Sequence, residues 1–215
     1  MDNLKTKTDQ PVDTETKILD AAKEVFQKKG LAGARMQEIA DLAGINKALL
    51  HYYYRTKDKL FEKVFEIAFS VFVPRIKEVV LSTDKSVFEK IEFFVENYIN
   101  LLSKHPFIPG FVISELNRNP QILVEIIEKN VQVKELNLFE NFNKQIQEEV
   151  KKGIVRPIDA RNLMVNVVGL CIFPIVARPI IQGIIFNNDK KAYDEFLTQR
   201  KQFVTEFIIN SIKAT

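Results

Sequence analysis

"IADLAGINKALLHYYYRTK", residues 39–57, sets a small residue, a glycine and a leucine in a frame that decides the fold. Ala40 falls four residues before Gly44 and Leu50 six after it, with Ile39, Ala43, Ile45 and Tyr53 at the other apolar positions. Two helices crossing at about 90–120° over a three- or four-residue turn need these types. The small side chain stands where the helices touch, the glycine where the backbone turns left-handed, and the leucine where the second helix seats. The spacing predicts helices over 36–42 and 46–54, broken at "AGI": a helix-turn-helix. Its second helix carries Asn46, Lys47, His51 and three consecutive tyrosines, more hydrogen-bonding groups than a packed helix needs.

The flanks extend the pattern. Upstream, "TETKILDAAKEVFQKKG" from Thr14 places Ile18, Leu19, Ala22, Val25 and Phe26 on one helical face, with Lys28 and Lys29 in the last turn and Gly30 as a left-handed stop. Downstream, Thr56 caps a longer helix bearing Leu60, Phe61, Val64, Phe65, Ala68, Phe69 and Phe72, which Pro74 kinks or weakens. Further periodic stretches predict a helix from Val87 to Leu102, a short one around 109–117 and a long one from Gln121 to Lys152. An apolar helix from about Asp159 and a terminal stripe from Tyr193 to Ile212 complete the chain. The expectation is an all-α protein of about nine helices.

Composition bounds the function. Forty-six per cent hydrophobic residues with 17 Phe in 215 residues fill a core, and 7 Gly and 8 Pro suit helices. A net charge of +3 makes any basic patch local. Lys47, Arg55, Lys57 and Lys59 against the single acid Asp58 form one. The lone cysteine, Cys171, forms no internal disulfide and reads as a small core residue. Two histidines argue against a protein-only zinc site, and no other cofactor is expected. The run Leu163 to Ala177 falls short of the roughly 20 residues that span a bilayer, so it reads as a core helix. The polar N-terminus lacks a signal peptide's apolar stretch, and the expected location is cytoplasmic. No Gly-rich phosphate loop or paired acid motif points to an enzyme.

Residues 14–61 resemble the DNA-binding domain of TetR-family (tetracycline-repressor-like) transcriptional regulators. The family pattern runs Ile-Ala, two variable residues, Ala-Gly, a branched residue and Ser. After a variable residue come Gly, Thr, Leu and Tyr, then a variable residue, Tyr or His, Phe, a variable residue, Ser and Lys. The resemblance implies a homodimer on palindromic operator DNA, acting as a repressor released by a small apolar or amphipathic ligand. Residues 1–12 read as a flexible tail containing Pro11, and the resemblance implies a DNA-binding domain over 13–58 and a ligand-binding and dimerisation domain over 59–215.

By position, Asn46 takes the place of the Ser that opens the recognition helix, and can still cap it. Lys47 falls on a variable position that often reaches DNA, and Ala48 replaces Gly. His51 stands for the Leu-Tyr tyrosine, Tyr52 lies outward, and Tyr53 divides between packing and phosphate contact. Tyr54 replaces the buried Phe. Lys57 matches the Lys at the start of the fourth helix, where phosphate is favoured. Arg35 stands where Thr or Ser commonly caps the second helix and is free to contact phosphate instead.

The Phe stripe divides between helix packing and an apolar ligand cavity, for which Phe65, Phe69, Tyr98, Phe111 and Asn166 are the candidate lining. A second function class is a helical adaptor for a protein or lipid that no longer binds DNA. Burial or salt-bridging of Lys47 and Lys57 would favour it.

Overall fold

A computed structural model describes residues 11–105, 107–118, 120–132 and 134–214. Among them run eleven α-helices and one π-helical turn, against the nine expected. The chain divides into two compact units, Met1–Ile67 and Ala68–Thr215. Ten residues of the expected tail lie outside the described residues, and α1 begins at Pro11.

The first unit holds α1 (Pro11–Gly33), α2 (Met36–Leu42), α3 (Lys47–Tyr53) and the opening turns of α4 (Lys57–Leu81). Its core combines Ile18, Ala22, Val25 and Phe26 of α1 with Ile39, Ala40, Leu50, Leu60 and Phe61. Phe26 meets Phe61 edge-on at 4.9 Å between ring centroids. Burying each such large side chain contributes about 1.5–3 kcal/mol. Gly30 breaks α1 with φ 64° and ψ 179°. Its φ is positive as expected, but the extended ψ is a conformation open essentially to glycine alone, not a left-handed helical turn. Gly44 turns α2 into α3 with φ 69°, and Ile45 N–H donates to Ala40 C=O at 3.0 Å across that turn.

The second unit holds the rest of α4, α5 (Val87–Lys104), α6 (Phe107–Arg118), α7 (Pro120–Val131), α8 (Leu138–Lys151) and α9 (Ala160–Val176). It ends with α10 (Arg178–Ile180), the π-helical turn Ile181–Ile185 and α11 (Lys190–Ile212). Its core joins Ile91, Val95 and Ile99 of α5 to Leu163, Val167 and Cys171 of α9 and Val204, Ile208 and Ile212 of α11. Ser86 opens α5 with a reciprocal capping box: its hydroxyl accepts from Glu89 N–H, and the Glu89 carboxylate accepts from Ser86 N–H.

One expectation changes here, that of a single helix from Gln121 to Lys152, and two helices run through a proline. Helix α4 runs through Pro74 to Leu81, because Val73, Ile76 and Val79 are buried and hold the last turns in place. The helix expected from Gln121 to Lys152 is two: Gln132 (φ 55°) and Asn137 (φ 47°) reverse the backbone between α7 and α8. Helix α9 also passes through a proline, Pro174, which has no N–H for the carbonyl of Leu170 four residues back. The Arg200 guanidinium donates to that carbonyl at 3.3 Å, and the Tyr193 hydroxyl donates to Pro174 C=O at 3.0 Å. No single helix among the described residues is long and apolar enough to cross a membrane.

Candidate functional site

Helix α3 is locked on one side and open on the other. The Asn46 side chain accepts from Leu49 N–H at 2.8 Å, capping the N-terminus as the residue type allows. Leu50 is fully buried, four residues after the cap. Tyr54 closes the helix with its ring buried and its hydroxyl donating to the Glu15 carboxylate of α1 at 2.8 Å. Burial first, then that carboxylate, push the hydroxyl's pKa well above its ordinary value, so it stays a donor.

With that side occupied, Lys47, Ala48, His51 and Tyr52 are exposed, Tyr52 to 82%. An aromatic ring left so open is no part of this unit's core. Lys47 has no hydrogen bond or ion pair within the described residues. Tyr53 is half-buried, its ring edge-on to Tyr52 at 5.8 Å. His51 Nδ1 lies 3.2 Å from the carbonyl of Arg55, so Nδ1 carries the hydrogen and Nε2 is the outward nitrogen.

Two cations frame the helix. Arg35 sits at the N-cap of α2 with extended backbone, makes no side-chain capping bond and is exposed. Lys57, the first residue of α4, is half-buried, and its ammonium donates to the carbonyls of Ala34 (3.0 Å) and Ala32 (3.4 Å). That ties α4 to the loop before α2 while leaving the positive charge unneutralised. Lys59 pairs with Glu62 at 2.8 Å.

The second unit contains a cavity of about 200 Å³ with a wholly apolar exposed lining. Ile76 and Val80 of α4, Phe94 of α5, Phe139 and Phe142 of α8 and Val167 of α9 contribute to its wall. Of the sequence-predicted lining, Phe65, Tyr98 and Asn166 stand outside the described wall of this cavity. Phe65 is buried in the first unit, 6.3 Å from Phe61 between centroids. Tyr98 stacks at a tilt on Phe94 at 5.2 Å, and burial pushes its hydroxyl up to about 12. Asn166 is exposed on α9. The side chains of Phe69 and Phe111 lie outside the described residues. The cavity was missed because its wall draws on five helices, whose mutual placement the pattern within any one of them does not give. The polar run "QVKELN" between two apolar stretches was the available signal.

An all-helical chain with a helix-turn-helix at its N-terminus and a helical unit holding a half-open apolar pocket has the architecture of a DNA-binding transcriptional regulator. Residues 18–64 match the family model described as bacterial regulatory proteins, tetR family, so this part of the chain is a helix-turn-helix DNA-binding domain of that type. The HTH-type transcriptional repressor NicS of Pseudomonas putida is 30% identical over 96 residues, 43% of each chain. The chain thus spans less than half the length of that relative. Structurally it is similar to the transcriptional regulator FadR of Bacillus subtilis, solved in complex with stearoyl-CoA (TM-score 0.60, 17% identity, covering 91% of this chain and 97% of that one). It is also similar to HlyIIR, a hemolysin II transcriptional regulator (TM-score 0.63, 19% identity, 96% and 100%). At these identities the structural likeness speaks for the fold.

Proposed function

We propose that the chain is a repressor that grips palindromic operator DNA as a homodimer and lets go when a small apolar or amphipathic ligand binds its second unit. The observation that carries this is the open side of α3. Lys47, His51 and Tyr52 project from a helix whose other side is fixed by Leu50 and Tyr54. A rigid helix with a free cation and hydrogen-bonding tips suits the major groove, where phosphate contacts position and base contacts specify. Asn46, Ala48 and Tyr53 complete the surface, and Arg35 and Lys57 supply flanking charge for phosphates. A gel shift on DNA flanking its own gene, run at two salt concentrations, tests the reading. Binding should weaken steeply with salt. A chain that shifts no such DNA at low salt is not this regulator.

The dimer is supported by apolar side chains left open on the last long helices: Val165 and Phe173 on α9, Phe203 and Phe207 on α11. A two-fold four-helix bundle buries them, and a two-fold dimer matches a palindromic operator whose half-sites lie about 34–36 Å apart or somewhat more. Release by ligand is supported by the cavity and by α4, which supplies Lys57 to the first unit and Ile76 and Val80 to the cavity wall. Such coupling is typically about 1–3 kcal/mol and reciprocal, so operator DNA must weaken the ligand by the same factor.

The adaptor reading draws support from Lys57 alone, whose ammonium is occupied by backbone carbonyls. The open Lys47 and Tyr52 weigh against it.

A further inference from the structure

Among the described residues the cavity of the second unit has one charged residue in its wall, Lys90 of α5. A buried ammonium beside a ligand site usually suggests a counter-ion for an acid. Here the geometry says otherwise. Lys90 has three N–H donors and three acceptors: Val80 C=O at 2.8 Å, Ser82 C=O at 2.8 Å and the Gln145 side-chain oxygen at 2.6 Å. Gln145 is itself held in orientation, its amide donating to Lys85 C=O (2.7 Å) and to the Glu149 carboxylate (3.0 Å). The Glu149 carboxylate also accepts from Val87 N–H at 2.9 Å. All three ammonium hydrogens are thereby committed to the end of α4 and to α8, and what the cavity meets is the butyl stem.

We infer that this cavity selects an uncharged hydrocarbon group, with Lys90 a wall residue whose ammonium is withheld from the ligand. The inference rests on the ligand-responsive reading and names the ligand's chemistry. Dry apolar cavities of about 150 Å³ accept benzene, so about 200 Å³ has room for about eight to ten non-hydrogen atoms: a medium alkyl chain or a substituted benzene ring. A carboxylate drawn into the pocket meets no free donor among the described wall residues, and it loses hydration without compensation from them.

The test is calorimetry of the full chain with 1-octanol and with octanoate, matched in chain length and different in charge. Octanol should bind at least as tightly as octanoate, and Lys90→Met should leave their ratio unchanged. Val167→Phe, which fills the cavity from α9, should abolish octanol binding while the protein still melts cooperatively. Octanoate tighter by tenfold or more would make Lys90 a counter-ion and overturn the inference; that ratio is read on the native chain, so it stands even where Lys90→Met fails to fold. Octanol binding to Val167→Phe with undiminished affinity would overturn it too, as would no binding of octanol at millimolar concentration. The regulatory reading fails separately: octanol that binds the cavity yet leaves the DNA gel shift unaltered sinks release by ligand and leaves the cavity's chemistry standing.

Discussion

The guanidinium of Arg200 donates to the carbonyl of Leu170 at 3.3 Å, and that carbonyl is the one Pro174 leaves without a helical donor. A cation on α11 thus repairs a proline defect in α9. Arg200 Nε is buried with no hydrogen-bond partner among the described residues, and burial lowers the guanidinium's pKa, so the arrangement carries a desolvation cost of its own. Arg200→Met should destabilise the second unit by about 1–2 kcal/mol, the cost of leaving a buried carbonyl unmet. In a Pro174→Ala background the loss should shrink, because alanine supplies the N–H. A double-mutant cycle by urea denaturation reads the difference. Additive losses would show that the two groups act independently.

Capping and recognition separate on α3. Asn46→Ala should cost about 1 kcal/mol of stability by losing the bond to Leu49 N–H. Lys47→Ala and Tyr52→Ala should stay within about 0.5 kcal/mol of the native chain, since both side chains are exposed. Their effect should appear in DNA binding, as weaker affinity and a narrower gap between operator and random DNA. Thermal melts alongside gel shifts distinguish the two patterns.

Lys57 carries two separable roles. Removing its bonds to Ala34 and Ala32 in Lys57→Ala should lower stability by about 1 kcal/mol. If the same ammonium neutralises a phosphate, the variant should also lose affinity for all sequences alike and lower the salt slope by about one unit. An unchanged slope with reduced stability would assign Lys57 to the fold alone.

The face formed by α9 and α11 should hold the dimer. Phe207 is 55% exposed and stacks on Phe203 at 6.2 Å, with 13° between the rings. Phe207→Glu places a charge in the proposed interface and should give a monomer by light scattering at micromolar concentration, with the native chain a dimer. A native monomer would remove the interface from the proposal.

Cys171 reports on unfolding. Burial pushes its thiol from the ordinary 9.0 up to about 12, and its side chain is 1% exposed. Alkylation by iodoacetamide at pH 8 should therefore be negligible in the native chain and rapid in denaturant. The folded state holds the proton more tightly than the unfolded one. The thiol's contribution to stability is accordingly full below about pH 8.5 and is lost as pH rises toward the folded value. Denaturation midpoints at pH 8 and pH 10 check the sign.

Local chemistry settled much of this protein from sequence alone. The frame of Ala40, Gly44 and Leu50 lies within a dozen residues, so short-range sterics define both helices, the positive φ of Gly44 and the Asn46 cap. The same local logic placed Tyr54 inward and Tyr52 outward, because side-chain direction follows helical spacing. The cavity was decided by tertiary structure. Its walls come from α4, α5, α7, α8 and α9, and apolar periodicity marks a buried face without saying whether packing closes over it or leaves room. Phe65 and Tyr98 satisfied the pattern and went elsewhere. The role of Lys90 was equally hidden, since a lysine in an amphipathic helix reads as solvated until the carbonyls of Val80 and Ser82 are found at its ammonium. Contacts between residues far apart in the chain depend on where whole helices lie, and periodicity within one helix carries no information about that.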